Sequence, residues 1–126
     1  MINRLLSVKL LFMILPIAFL YSGIVFANCS NAEQDAYDGY RDAKKAYKSS
    51  SLSSCKKYAK KAYKHLNYAS GEASSCSCSE AEGEAYDGYR DAKKAYKSTS
   101  LSSCKKYAKK AYKHASYAED EANSCN

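Results

Sequence analysis

The chain is 126 residues long, with six cysteines, thirteen tyrosines, no tryptophan and a formal net charge of +7. That length accommodates one ordinary domain and excludes a large multidomain assembly. Beyond residue 27 there is no Phe, Ile, Val or Met, and the only large aliphatics are Leu52, Leu66 and Leu101. A core of large aliphatic side chains is therefore excluded as well.

The N-terminus reads as a targeting segment. Arg4 and Lys9 precede a mostly apolar run from Leu10 to Phe26, and Val25-Phe26-Ala27 supplies small residues at the −3 and −1 positions of a cleavage site. Residues 1–27 are expected to be a secretory signal peptide cleaved after Ala27. Pro16, Ser22 and Gly23 interrupt the run, which argues against an uncleaved membrane anchor. Asn28 stands before Cys29, where lipidation would need a small residue. The expected destination is secreted or periplasmic. Loss of Arg4 and Lys9 leaves 18 Lys and Arg against 13 Asp and Glu, still a basic protein.

All six cysteines remain after cleavage. An even count in an oxidising compartment reads as a disulfide framework. The composition calls for one: alanine removes little apolar area from water, at ~25 cal/mol per Å², and a small chain with a poor core needs covalent staples.

The chain is then two copies of one unit. Cys29, Cys55 and Cys76 recur as Cys78, Cys104 and Cys125, and residues 29–77 align with 78–126 without gaps, differing at ten positions. Residues 28–77 and 78–126 are the two expected repeats, each with the same fold.

Each repeat reads as a helical hairpin. Its first helix opens on Ser30-Asn31-Ala32-Glu33, and in the second copy on Ser79-Glu80-Ala81-Glu82; both match a Ser-x-x-Glu capping box. Ala32, Ala36, Tyr40, Ala43 and Tyr47 follow at spacings of three and four and mark one helix face. Asp38, Arg41, Lys45 and Lys48 fall on the other. Acids lead and lysines trail, complementing the macrodipole. The serine run at 49–54 interrupts the pattern and offers Ser51 or Ser53 as the next cap. In the second helix Cys55, Ala59, Ala62, Leu66, Ala69, Ala73 and Cys76 step by four and three, a heptad stripe suited to close coiled-coil packing. Gly39 and Gly88 lie inside the first helices. They either permit close helix approach or merely loosen the helix, at about 1 kcal/mol each.

Antiparallel hairpins bring Cys29 to Cys76 and Cys78 to Cys125, so these are the expected disulfides. Cys55 and Cys104 fall at the hairpin tips. They either close across the tips or bridge two molecules as a homo-oligomer. The short connector Ser77-Cys78-Ser79 returns the second hairpin beside the first. The expected fold is all-α: two tandem disulfide-stapled hairpins in an up-down-up-down four-helix arrangement.

The functional expectation rests on the tips. Lys44 to Lys61 contains seven lysines and no acid, and Lys93 to Lys110 repeats it. The candidate anion-binding residues are Lys44, Lys45, Lys48, Lys56, Lys57, Lys60, Lys93, Lys94, Lys97, Lys105, Lys106 and Lys109. Tyr47, Tyr58, Tyr96 and Tyr107 stand beside them as aromatic support. Lysines, serine hydroxyls and helix N-termini together suit an anion. Acidic lipid or lipopolysaccharide, acidic polysaccharide and nucleic acid are the candidate partners, against a merely solvated face. The alternative is a structural or interaction protein of the envelope or matrix, assembled through alanine stripes or intermolecular disulfides.

Other chemistry is weakly represented. Cys76-Ser77-Cys78 lacks the spacing of a zinc finger, and His65 and His114 sit away from it; disulfides are favoured, and no metal or cofactor is expected. No Gly-rich phosphate loop, G-x-S-x-G or His-Glu metal motif occurs, so a non-enzyme without a small-molecule substrate is expected. Tyr40, Tyr47 and Tyr58 are expected to replace the missing aliphatics in the core, and Tyr37 and Tyr68 to lie outside it.

Overall fold

A computed structural model describes residues 28–126; the signal peptide expected over residues 1–27 lies outside the described residues. Four helices follow one another: α1 (Ser30–Tyr47), α2 (Leu52–Ser75), α3 (Ser79–Tyr96) and α4 (Leu101–Ser124). Among the described residues there is no strand, and no helix is long and apolar enough to cross a membrane. Each helix packs on two neighbours around an antiparallel four-helix bundle, and across the centre the long helices α2 and α4 come closer than α1 and α3. Both serine loops lie at one end, the tip. The α2–α3 connection and both ends of the described chain lie at the other, the base.

The interior is alanine in four layers. Ala32, Ala73, Ala81 and Ala122 pack with Cys29 and Cys78 at the base. Ala36, Ala69, Ala85 and Ala118 form the next layer. Leu66 lies among Ala43, Ala62, Ala92, Ala111 and Ala115. Ala46, Ala59, Ala95 and Ala108 surround Cys55 and Cys104 at the tip. The heptad stripe of α2 is buried from Cys55 to Ala73, as its period predicts. Small side chains let the helices approach at the lower end of ordinary packing distances.

The cysteines pair as Cys29–Cys76, Cys78–Cys125 and Cys55–Cys104, with Cα atoms 5.5, 6.1 and 6.3 Å apart. The first two join each hairpin's own ends. The third ties the two tips, so the cross-tip alternative holds within one chain and no described cysteine is left free.

Three local expectations need correction or refinement. The capping boxes do not form: Cys29 and Cys78 are the N-caps of α1 and α3, and neither makes a side-chain cap. The carbonyls of Cys29 and Cys78 accept the first helical bonds from Glu33 and Glu82. The helix thus begins at the disulfide, one residue earlier than the serine, and Ser30 Oγ donates to Asn28 instead at 2.6 Å. The tyrosines also lie elsewhere than expected. Tyr40, Tyr47 and Tyr58 are half-buried against the alanine layers rather than inside them. A ring on this scale does not fit between helices spaced for alanine, so it covers the seam. Tyr37 and Tyr68 are exposed, as expected. Finally, the glycines serve close approach: a β-carbon at Gly39 would meet Leu66 Cγ at 2.7 Å, and one at Gly88 would meet Leu66 Cδ1 at 3.2 Å.

The α2–α3 connection is the three residues Cys76-Ser77-Cys78, which reverse the chain at Ser77. Ser77 adopts φ 59°, Ser77 N–H donates to Ser74 O and Cys78 N–H donates to Ala73 O. These are the two bonds of a Schellman motif.

Candidate functional site

The tip is built from two equivalent corners. Lys48 caps α1, and buried Ser49 donates its hydroxyl to Lys45 O at 2.8 Å. Ser51 then caps α2 by accepting from Ser54 N–H at 3.2 Å. Ser98 and Ser100 repeat both contacts at the second corner. The serine run is therefore explained in part by closing one helix and opening the next. The hydroxyls of Ser49, Ser51, Ser98 and Ser100 are already engaged there.

The structure brings all twelve candidate lysines, with Lys61 and Lys110, into the tip half of the bundle. At ~1.5 Å rise per residue, Lys61 is within about 14 Å of the start of α2. The lysines are spread over tyrosine rings. Lys45, Lys57 and Lys61 lie 5.6, 5.9 and 5.7 Å from the Tyr58 centroid. Lys94, Lys106 and Lys110 surround Tyr107 in the same way. Tyr47 of α1 meets Lys105 and Lys109 of α4, and Tyr96 of α3 meets Lys56 and Lys60 of α2. Tyr47 also packs on Tyr112, and Tyr96 on Tyr63, with centroids 5.6 and 5.7 Å apart. All four helix seams thus carry at least one tyrosine with its lysines. Each such contact at an exposed site is worth ~0.5–1 kcal/mol, which offsets part of the mutual repulsion. Lys48 and Lys97 are exposed and extend beyond the rings.

Charge is separated along the bundle axis. Every Lys and Arg of the described residues falls within 41–64 or 90–113, whereas of the thirteen Asp and Glu only Asp42 and Asp91 fall inside those ranges. The carboxylates of the described residues that meet a basic side chain within 4 Å all meet a histidine, contacts that are ion pairs only when the imidazole is protonated. No tip lysine is paired with a carboxylate. Lys44 donates to the Tyr40 hydroxyl at 2.9 Å, and that bond holds its pKa above the ordinary lysine value.

One feature was missed from the sequence. Tyr86, Tyr89, Arg90, Lys93, Lys94 and Lys97 line an open cleft of about 370 Å³ on α3. Their spacing of three and four residues places them on one face; of the six, only Lys93, Lys94 and Lys97 are candidates from the sequence. His65 and His114, expected only to lie away from Cys76-Ser77-Cys78, have partners that the sequence alone does not name. Each lies between two carboxylates of its own hairpin's first helix: Asp35 and Asp42 for His65, Glu84 and Asp91 for His114. The seven-residue spacing of those acids carries the signal, but only the register between helices connects it to the histidines. The sulfurs of Cys29, Cys78 and Cys125 gather at the base, where they belong to two adjacent disulfides and offer no thiolate.

Compared with protein-family models, curated proteins and solved structures, the chain matches none.

Proposed function

We propose that this is an exported, non-enzymatic protein whose lysine-rich tip binds a polyanion: an acidic lipid or lipopolysaccharide surface, an acidic polysaccharide or a nucleic acid. The observation that carries this reading is the tip itself, where fourteen lysines gather on tyrosine-lined seams without one carboxylate partner. Ammonium groups already paired inside the molecule would have to exchange partners on binding; these would not. The N-termini of α2 and α4 add positive partial charge at the same end. Tyrosine edges between the lysines suit sugar rings, bases or a lipid interface. The three disulfides fit an oxidising compartment.

Assembly through alanine stripes or intermolecular disulfides has less support. The stripes face the bundle interior, and Cys55 and Cys104 bond to each other.

The test is binding of the oxidised chain 28–126 to fluorescent heparin, single-stranded DNA and anionic phosphatidylglycerol vesicles across a salt series. Binding should weaken steeply with salt and should be reduced at least ~10-fold by Lys56→Gln, Lys57→Gln, Lys105→Gln and Lys106→Gln together, about 1.4 kcal/mol. No binding at low salt, or equal binding by the quadruple variant, would overturn the reading. Which probe binds most tightly then selects the partner class.

A further inference from the structure

We propose that the first hairpin carries a binding site for a zinc-class divalent cation, formed by Asp35 and Asp38 of α1 and His65 of α2. This site is independent of the tip. Asp35 and Asp38 are one turn apart on the same helix face, and His65 reaches them from the facing helix. One ligand atom from each of the three lies within 4.8 Å of the others.

The state of the imidazole sets this cluster apart from a surface ion pair. His65 Nδ1 is covered from solvent and has no hydrogen-bond partner, although the ring edge reaches the surface. The nearest oxygen, Asp35 Oδ1, stands 3.5 Å away. That is too long for a good hydrogen bond. It is close to the separation of two ligands on one tetrahedral ion, roughly 3.3–3.4 Å for bonds of ~2.0–2.1 Å. An ion seated between them would satisfy the orphaned nitrogen and both carboxylates at once. No Lys or Arg among the described residues pairs with Asp35 or Asp38 to do so instead.

The other ring nitrogen is also suitably placed. His65 Nε2 faces Asp42 Oδ2 at 3.7 Å. At that distance the Asp42 carboxylate is not hydrogen-bonded to the ring, but its charge beside Nε2 favours the tautomer with the proton there, which leaves Nδ1 free to ligate. Imidazole with carboxylates suits zinc or cobalt better than a hard ion such as magnesium. Three protein ligands on a half-exposed face leave the fourth position to water.

The second hairpin is an internal control. There Asp35 is replaced by Glu84, one methylene longer, and Glu84 Oε2 is 2.7 Å from His114 Nδ1. The corresponding nitrogen is satisfied within the protein, and Glu84, Asp87 and His114 do not gather as the first trio does. One site per chain follows, although the sequence is duplicated.

The test uses untagged, oxidised chain 28–126, stripped with chelator. Cobalt is titrated while visible absorption is followed, and zinc is titrated against a chromophoric chelator at neutral pH. One equivalent should bind in the micromolar range, and zinc should displace the cobalt spectrum. Asp35→Asn and His65→Gln should each weaken binding by more than ~10-fold, whereas His114→Gln should leave it unchanged. Far-ultraviolet circular dichroism and the mass of the non-reduced chain verify that each variant is folded and fully paired. No uptake at high micromolar metal would overturn the site. So would undiminished binding by folded Asp35→Asn and His65→Gln, or an equal loss on His114→Gln.

Discussion

Leu66 fills the space that Gly39 leaves. The leucine is fully buried, and a β-carbon on Gly39 would come within 2.7 and 2.8 Å of its Cγ and Cδ2. The position equivalent to Leu66 in the second copy is Ala115, in the same layer. Leu66 reaches across to Gly88 as well, at 3.2 Å from where its β-carbon would be. One leucine thus occupies the middle of a pseudo-symmetric bundle, and a second one would compete for the same volume.

Leu66→Ala should therefore cost ~2–5 kcal/mol of unfolding free energy. Gly39→Ala should cost ~1–3 kcal/mol from overpacking, although alanine is the better helix former. In a Leu66→Ala background the clash is gone, so Gly39→Ala should become stabilising by up to ~1 kcal/mol. Guanidinium unfolding of the double-mutant cycle measures the coupling. Additive effects would show that Gly39 and Leu66 do not constrain each other.

Exchanging the leucine between copies is a sharper version. Leu66→Ala with Ala115→Leu should recover most of the stability lost in Leu66→Ala, because the volume is returned to the same layer. Ala115→Leu alone should be destabilising by ~1–3 kcal/mol. The unfolding midpoints of the three variants decide this.

Ser77 holds a left-handed conformation at φ 59° between α2 and α3. Ser77→Gly should stabilise the chain by ~0.5–1 kcal/mol, since glycine removes the β-carbon strain at a Schellman turn. A destabilisation would mean that the entropy of the unfolded glycine outweighs that strain.

The Cys55–Cys104 bond joins residues 49 apart. Its removal by Cys55→Ala and Cys104→Ala should lower stability by ~3–4 kcal/mol in the chain-entropy picture. Helix content should be retained, because each hairpin keeps its own staple. Circular dichroism with guanidinium unfolding tests both statements.

The base has a pH signature. Glu121 has a raised pKa because it shares a hydrogen bond with Glu80 and feels its charge. Glu119 is raised by burial, with Asp120 and Glu33 adding to it. A carboxyl whose pKa is higher folded than unfolded binds more protons in the native state. Its ionised form is penalised by folding, so its contribution to stability falls as pH rises through the acid range. Glu121→Gln should thus raise the urea midpoint at pH ~7 and lose that advantage below pH ~4. An advantage that persisted in acid would assign the effect to something other than ionisation.

Much of the architecture was written in the chain as period and spacing. The four-three stripe of small residues named the buried face of α2 and α4 and the offset of 49 named the duplication. Given antiparallel hairpins, the cysteine positions pointed to Cys29–Cys76 and Cys78–Cys125, but left Cys55 and Cys104 to close across the tips or to bridge two molecules, which the tertiary structure decided. The stripe, the duplication and the two hairpin pairings depend on helix geometry and loop length, which are local. The caps at Cys29 and Cys78, the tyrosines along the seams and the fit of Leu66 against two glycines were decided only by tertiary structure. Each depends on how far apart the helices sit and how they are rotated, and no single helix contains that information. The tip lysines belong to both groups. Their clustering follows from sequence and topology, whereas their lack of carboxylate partners is decided in the bundle, where the nearby Asp42 and Asp91 face His65 and His114 instead. The histidines show the division most sharply: they face carboxylates at equivalent positions, but Asp35 stays 3.5 Å from His65 while Glu84, one methylene longer, reaches 2.7 Å from His114 across the helix interface.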